Sequence, residues 1–137
     1  MKFWRFMDYH DPNGVNLIGE WYKAQDPSVQ ARFDFVLRIL EVTETVEEWI
    51  KKGMFKVLQK PKHAGLCEIR FSIEIRATGR ARKFRPLGFW RPNHNEFILA
   101  SGVEKVGKDY IPSEAFESAM NARSSVLDGR GTLYEHK

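Results

Sequence analysis

Residues 69–76 read IRFSIEIR, and this stretch decides the fold. Apolar and polar residues alternate through it, which is the pattern of a β-strand with one buried face and one face toward solvent. Thr78-Gly79-Arg80 predicts a turn after it, and residues 81–90 are predicted to return as the second strand of a hairpin. Pro86 has no backbone N–H to donate, so we expect this second strand to lie at an edge of the sheet or to contain a bulge.

Upstream of the hairpin the sequence predicts one strand followed by helices. Residues 3–7 are aromatic-rich and predict a first strand, which ends at the turn-forming residues 11–14, DPNG. A short helix is expected next, around Trp21. Asp26-Pro27 is a good helix start, and apolar residues follow it at helical spacing. Residues 45–48, TVEE, have the spacing of a capping box and predict a further short helix. The apolar residues of the helix that follows Pro27 are Val29, Phe33, Val36 and Leu40.

Downstream of the hairpin we expect one more strand and a last helix. Residues 97–100, FILA, predict a compact buried strand, and residues 102–110 are expected to form a polar loop. Pro112 predicts the start of a helix that docks Phe116, Ala119, Met120 and Leu127 on the sheet. The prediction is an α+β fold with an antiparallel sheet made of the N-terminal strand and a three-stranded meander. Two or three helices that follow strand 1 in the chain, and one C-terminal helix, pack on this sheet. We expect a single domain over residues 1–127 and a flexible C-terminal tail over residues 128–137.

The charge of the chain is concentrated in its middle third. The 137 residues hold 22 Lys and Arg against 18 Asp and Glu, so the formal charge is +4. Residues 1–50 carry a net charge of −4 and residues 95–137 carry −2, whereas residues 51–94 hold twelve basic and two acidic side chains. A surface with that excess of positive charge attracts polyanions. The alternative is an ordinary solvated Lys/Arg face.

Several functional classes have no support in the sequence. The single cysteine, Cys67, excludes an internal disulfide and a CxxC site and is expected to be a small core residue. The four histidines are scattered and form no HExxH or Cys/His motif, so we expect no metal and no cofactor. Residues 102–108 match the phosphate-loop spacing, but Asp109 replaces the Ser or Thr that would bind magnesium. No apolar run is long enough to span a bilayer and the residues MKFWRFMDYH resemble no secretory signal, so a cytoplasmic protein without membrane contact is expected.

The remaining candidates are basic residues on and near the predicted hairpin. A sheet face that combines arginines with aromatic rings suits phosphate contact and base stacking, although each residue alone is better explained as part of a solvated strand face. The candidate residues are Arg70, Arg76, Arg80, Arg82, Lys83, Arg85 and Arg91.

This region resembles the RelE/HigB superfamily of toxins from bacterial and phage toxin–antitoxin pairs. Residues 63–70, HAGLCEIR, are similar to the GL-x-E-L-R segment of that family, and Phe84-Arg85 stands where the family has an aromatic-Arg strand. Residues 97–102, then Glu104-Lys105, and then a Pro112-initiated helix follow in the family's order. The resemblance covers roughly residues 54–125. The chain departs from the family pattern at three positions, namely Cys67, Glu104 and Pro86.

The resemblance implies a RelE-like fold and an mRNA endoribonuclease that inhibits translation. Such an enzyme aligns the 2′-hydroxyl of RNA with the adjacent phosphate and needs no metal, because arginines can stabilise the charge of the phosphorane. The implied catalytic residues are Arg70 and Arg85 as phosphate clamps and Lys105 for proton transfer. Arg82 is the alternative to Arg85 as the matching arginine. The implied RNA-binding residues are Arg76, Arg80, Arg82, Lys83, Arg91 and Tyr110.

The resemblance also implies two partners. One is a cognate antitoxin, expected to be a small helix-turn-helix protein, and the other is mRNA, free or on the ribosome. A different reading is a non-catalytic, phage-derived nucleic-acid-binding protein that kept the fold, which the acidic Glu104 favours. A third is a protein-interaction module whose basic surface binds an acidic partner.

Overall fold

The chain folds as an α+β protein, as its sequence predicts. The computed structural model describes residues 2–75, 77–91 and 93–136, and over these residues it contains four α-helices and an eight-stranded sheet. The helices and strands in chain order are β1 (Arg5–His10), α1 (Leu17–Lys23), α2 (Pro27–Glu41), α3 (Val46–Lys51), β2 (Phe55–Val57), β3 (Cys67–Ile69), β4 (Phe71–Ile75), β5 (Arg80–Arg91), β6 (Glu96–Val106), β7 (Asp109–Ile111), α4 (Ala115–Leu127) and β8 (Thr132–Glu135). A single 3₁₀ turn, Pro61–His63, lies between β2 and β3.

The sheet is larger than the four strands expected from the sequence. Its strand order is β2-β3-β5-β6-β1-β8, with β4 also paired to β5 and β7 paired to β6. The first strand lies parallel to β6, and the other pairs are antiparallel. Helix α2 packs over one side of this sheet and α4 packs over the other, so each side has its own apolar core. In the described part of the chain, no helix has the length and apolar character needed to cross a membrane.

The helix capping signals locate the three helices that follow β1. Asp26 is the N-cap of α2, and Asn16 and Thr45 cap α1 and α3 by accepting hydrogen bonds from Gly19 and Glu48 backbone N–H groups. Every apolar residue predicted for the buried side of α2 is buried. Trp49 of α3 is fully buried as well, and its indole N–H donates to the Leu40 carbonyl at 3.0 Å. Cys67 is a core residue, and burial raises its pKa to about 12.

Strand β5 is central, so the expected edge position of Pro86 is wrong. Strands β3 and β4 pair with one side of β5, and β6 pairs with the other. The expected bulge is present, as a register shift between Leu87 and Gly88. Pro86 is tolerated because it lies opposite Ile69, where the pairing of β5 has stopped after Glu68 and has not yet resumed at Phe71. The described part of the strand predicted over residues 69–76 is therefore divided between two short strands, β3 and β4, that both pair with β5.

Two segments predicted to be irregular form strands instead. Residues 102–110, expected to be a polar loop, continue β6 to Val106 and return as β7, so the stretch with phosphate-loop spacing is part of a β-hairpin. Residues 128–137, expected to be a flexible tail, contain β8, which pairs antiparallel with β1. The glycines that suggested flexibility turn the chain back, since Gly129 and Gly131 have φ of +73° and +79°.

The C-terminal segment is held by a buried histidine. His136 Nδ1 lies 2.7 Å from an Asp8 carboxylate oxygen, and its Nε2 lies 3.7 Å from Asp34. The Tyr22 hydroxyl donates to Asp34 at 2.6 Å, and burial together with this carboxylate raises the Tyr22 pKa to about 12. Leu127, which we expected to dock on the sheet, is 54% exposed at the end of α4. The side chains that fix this end of the chain are thus in β8 and at His136.

Candidate nucleic-acid interface

The two sides of β5 present different chemistry. Side chains alternate along a strand, so Lys83, Arg85 and Leu87 share one side and Arg82 and Phe84 share the other. Leu87 packs in the core that α4 covers. Phe84 belongs to the α2 core, where its ring stacks on Phe71 with 5.3 Å between centroids. Lys83 and Arg85 are therefore on the α4 side of the sheet.

Arg70 joins Arg85 on this side. Glu68 pairs with Leu87 and Phe71 pairs with Phe84, and the same register carried through the break in between places Arg70 directly opposite Arg85. Lys105 is paired with Lys83 on the neighbouring strand β6, so it also faces this way. We call the four residues Arg70, Lys83, Arg85 and Lys105 the basic face.

A buried carboxylate supports the two arginines. Glu68 is 1% exposed, and its Oε1 accepts a hydrogen bond from Arg70 Nε at 2.9 Å and lies 3.8 Å from Arg85 Nε. The Glu68 Oε2 atom has no hydrogen-bond partner among the described residues. Because Nε is the only side-chain atom of Arg70 that bonds to the described protein, its terminal nitrogens are available to a ligand. Its side chain is 31% exposed.

Arg85 lies deeper than Arg70. It is 8% exposed, and its Nη1 donates to the Phe84 carbonyl at 2.9 Å and to the Phe71 carbonyl at 3.4 Å. Burial lowers the Arg85 pKa, and the charge of Arg70 lowers it further, while Glu68 raises it. The Nη1 donor of Arg85 is thus directed at the protein, whereas its buried Nε has no hydrogen-bond partner among the described residues and lies near Glu68.

Lys105 lies beside an aromatic ring on the same face. Strand β7 pairs Tyr110 with Lys105, and the Lys105 Nζ is 5.7 Å from the centre of the Tyr110 ring. A cation near a ring face is attracted by the ring quadrupole. The predicted stacking residue and the predicted proton-transfer residue are therefore neighbours.

The basic face contains two pairs of like charges. Arg70 lies opposite Arg85, and Lys83 lies opposite Lys105. Like charges directly opposite each other on adjacent strands are destabilising. Glu68 is the one carboxylate described in contact with this group, and it is committed to the two arginines. An anion bound over the face would relieve the repulsion that remains.

The other arginines predicted for the site do not join it. Arg82 lies on the α2 side, where it forms a two-pronged ion pair with Glu104 at 2.9 and 2.7 Å, and Arg80 lies on that side as well. Arg91 is at the far end of β5 and bonds to Glu96 at 2.9 Å. Glu104 is thus turned away from the basic face. Arg76 lies outside the described residues.

A cleft that the sequence analysis missed adjoins Tyr110. It has a volume of about 730 Å³ and lies between the segment 56–63 and the segment 108–116. Lys56 faces the same way as Glu68, its partner on β3, so this cleft continues the basic face. Its basic lining residues are Lys56, Lys60, Lys62, His63 and Lys108, and its aromatic lining residues are Tyr110 and Phe116.

Comparison with protein-family models, with curated protein sequences and with solved structures returned no match. The geometry of the site therefore carries the functional argument. Across residues 2–75, 77–91 and 93–136, no three His, Cys, Asp or Glu side chains come together in a way that could hold a metal ion. The face and the cleft offer a ligand mainly cations and aromatic rings, with the Asp109 carboxylate on one wall of the cleft. Burial and the nearby Lys62 and Lys60 lower the His63 pKa, which favours a neutral imidazole there. These groups suit phosphate and nucleobase.

Proposed function

We propose that this protein is the toxin of a type II toxin–antitoxin pair and that it acts as an mRNA endoribonuclease. The observation that carries the proposal is that the sheet register sets two pairs of like charges opposite each other on the basic face, where a bound anion would relieve their repulsion. The resemblance of residues 54–125 to RelE/HigB toxins supports the same reading. A cytoplasmic location and a RelE-like fold are part of the proposal.

The proposed reaction uses the chain's own cations. The 2′-hydroxyl of a ribose loses its proton to solvent water as its oxygen attacks the adjacent phosphorus. The bond from phosphorus to the 5′-oxygen breaks, and a 2′,3′-cyclic phosphate forms. The terminal nitrogens of Arg70 bind the non-bridging oxygens as negative charge accumulates on them. Lys105 donates a proton to the leaving 5′-oxygen. Arg85 acts through Glu68 and is a positioning residue rather than a phosphate ligand.

The experiment is expression in a bacterium without an antitoxin, scored by growth and by mapping of RNA ends. Arg70→Ala with Lys105→Ala removes two cations from the basic face, and we expect it to restore growth and to abolish new RNA ends. Arg80→Ala with Arg82→Ala removes two cations from the α2 side and is the matched control, which should still arrest growth. Arrest by the folded Arg70/Lys105 variant would reject these roles.

A partner protein is also part of the proposal. A cognate antitoxin, expected to be a small helix-turn-helix protein, would neutralise the toxin by covering the basic face with acidic side chains. Co-expression with the product of the adjacent reading frame should then restore growth. Because a rim charge affects the rate of association, Lys83→Ala should slow formation of the complex and weaken its dependence on salt.

The burial of Arg85 favours a second candidate function, a non-catalytic nucleic-acid-binding protein of the same fold. Only 8% of Arg85 is exposed, and its Nη1 donates to two protein carbonyls. This candidate predicts binding whose affinity falls linearly with salt on logarithmic axes, without cleavage. RNA cleavage, either alone or on translating ribosomes, would reject it. Loss of all nucleic-acid binding at low salt would instead favour a module that binds an acidic protein.

A further inference from the structure

The cleft beside Tyr110 has aromatic rings that are already stacked. The His63 imidazole lies parallel to the Phe116 ring, with 4.5 Å between centroids and 15° between planes. Tyr110 meets the edge of Phe116 at 5.0 Å and 89°. His63 comes from the 3₁₀ turn after β2, and Phe116 comes from the first turn of α4, so this contact joins the two walls of the cleft. The aromatic group is thus held in place before any ligand binds.

The charges of the cleft are distributed unevenly between its walls. Lys56, Lys60 and Lys62 lie on the wall formed by residues 56–63, and each is exposed. On the opposite wall Lys108 is followed directly by Asp109. A phosphate is therefore favoured on the first wall, whereas the Asp109 carboxylate would repel it and can accept a hydrogen bond from a base amino group.

We propose that this cleft binds one nucleotide of a single-stranded RNA, with its base against the rings of His63, Phe116 and Tyr110 and its phosphate on Lys60 and Lys62. The proposal rests on the proposed function for its choice of RNA as ligand. It places the bound nucleotide next to the phosphate on the basic face, because Tyr110 contacts both Lys105 and Phe116.

The arrangement of rings explains why the strand must be single. A base inside a duplex is stacked on both faces, so it has no free surface for a protein ring, whereas an unpaired base can stack on aromatic side chains. His63 fits this role because its ring lies flat against Phe116, and because burial and the nearby Lys62 and Lys60 lower its pKa, which favours the neutral imidazole. A phosphate bound on Lys60 and Lys62 would offset their charge, so binding should raise the His63 pKa.

The test measures binding of a fluorescent 2′-O-methyl RNA oligonucleotide, which cannot be cleaved because its 2′-oxygen is blocked. Lys60→Ala with Lys62→Ala should weaken binding about tenfold and reduce the slope of log affinity against log salt by about 0.7, because the two lysines neutralise one phosphate. Phe116→Leu should weaken binding about tenfold through lost stacking. Lys51→Ala with Lys52→Ala removes two exposed lysines at the end of α3 and should change affinity less than about twofold.

Further measurements separate a nucleotide site from a general basic surface. The His63 imidazole signal in a proton NMR titration should move to a higher pKa when the oligonucleotide is bound, and His63→Gln identifies that signal. A blunt duplex of the same length should bind more weakly than the single strand, and a nucleoside monophosphate should compete only weakly. Equal affinity for duplex and single strand, or an unchanged His63 pKa at saturation, would overturn the proposal.

Failure of the cleft proposal can be distinguished from failure of the proposed endoribonuclease function. If the Lys60/Lys62 and Phe116 variants remain folded by circular dichroism and bind the oligonucleotide as the wild type does, the cleft proposal fails, whether or not the protein cleaves RNA. If the wild type binds through the cleft but cleaves no RNA, the endoribonuclease proposal fails and the cleft proposal stands.

Discussion

Removing the charge of Glu68 is predicted to destabilise the fold strongly. Its carboxylate is 1% exposed and lies 2.9 Å from Arg70 Nε and 3.8 Å from Arg85 Nε. Glu68→Gln keeps the size of the side chain but leaves two guanidinium groups side by side, one of them buried. Breaking a buried ion pair by removing one partner costs about 3–5 kcal/mol, because the other charge stays buried without its counter-charge.

The assay is thermal unfolding followed by circular dichroism. For a chain of this length, each kcal/mol lowers Tm by roughly 3–4 °C, so Glu68→Gln should unfold about 10–20 °C below the wild type. Glu74→Gln removes the same charge from an exposed position of β4 and is the matched control. Its free energy of unfolding should stay within about 0.5 kcal/mol of the wild type.

A double variant tests the electrostatic cause. Glu68→Gln with Arg85→Met removes both members of the buried pair, and replacement of such a pair by apolar groups is often close to neutral. The double variant should therefore be more stable than Glu68→Gln alone by more than about 1 kcal/mol. A wild-type Tm for Glu68→Gln, or a double variant less stable than the single one, would refute the reasoning.

Two further predictions concern the edges of the two cores. Burial favours neutral His136, but the hydrogen bond and charge of Asp8, together with Asp34, outweigh burial and raise the His136 pKa. Protonated His136 therefore stabilises the fold fully below about pH 6.5, and this contribution is lost as the pH rises through the raised pKa. Urea unfolding at a series of pH values should show that loss in the wild type and not in His136→Gln; equal pH profiles would contradict it. Gly88→Ala should lower the free energy of unfolding by about 1–3 kcal/mol, since the new Cβ would meet the Ile98 carbonyl and the Phe97 ring. In the same urea assay the control Ala81→Val, at an exposed position of the same strand, should lower it by less than about 0.5 kcal/mol.

The sequence predicts helix α2 correctly because the signals that define it lie within the helix and its cap. The Asp26-Pro27 start and the spacing from Val29 to Leu40 define α2, because capping and helical period are properties of neighbouring residues. Strands β7 and β8 are three and four residues long and lack a clear alternation. They form because β6 and β1 have backbone hydrogen-bonding groups that no other described strand pairs with at those positions. The residues of β8 alone do not show this, since β1 lies at the opposite end of the chain.

The sequence predicts which residue types form the candidate site, but it does not predict which of their side chains face the same side of the sheet and stay unpaired. The sequence places Arg82 and Arg85 on one strand, and their opposite faces follow from alternation once the strand is known. It does not show that Glu104, 22 residues further on, binds Arg82 and removes it from the site. Lys60 and Lys62 lie in a segment without periodicity, so only the cluster of basic residues before Gly65 could have drawn attention to the cleft.

The distribution of charge across the sheet argues for an anionic partner more strongly than the net charge does. Acidic residues of β6 neutralise cations elsewhere in the described structure, since Glu104 binds Arg82 and Glu96 binds both Arg5 and Arg91. Among the described ion pairs, the cations of the basic face are bound only to the buried Glu68. An anion that bound there would therefore replace no existing ion pair, and it would gain the full attraction of cations held in place by the sheet register.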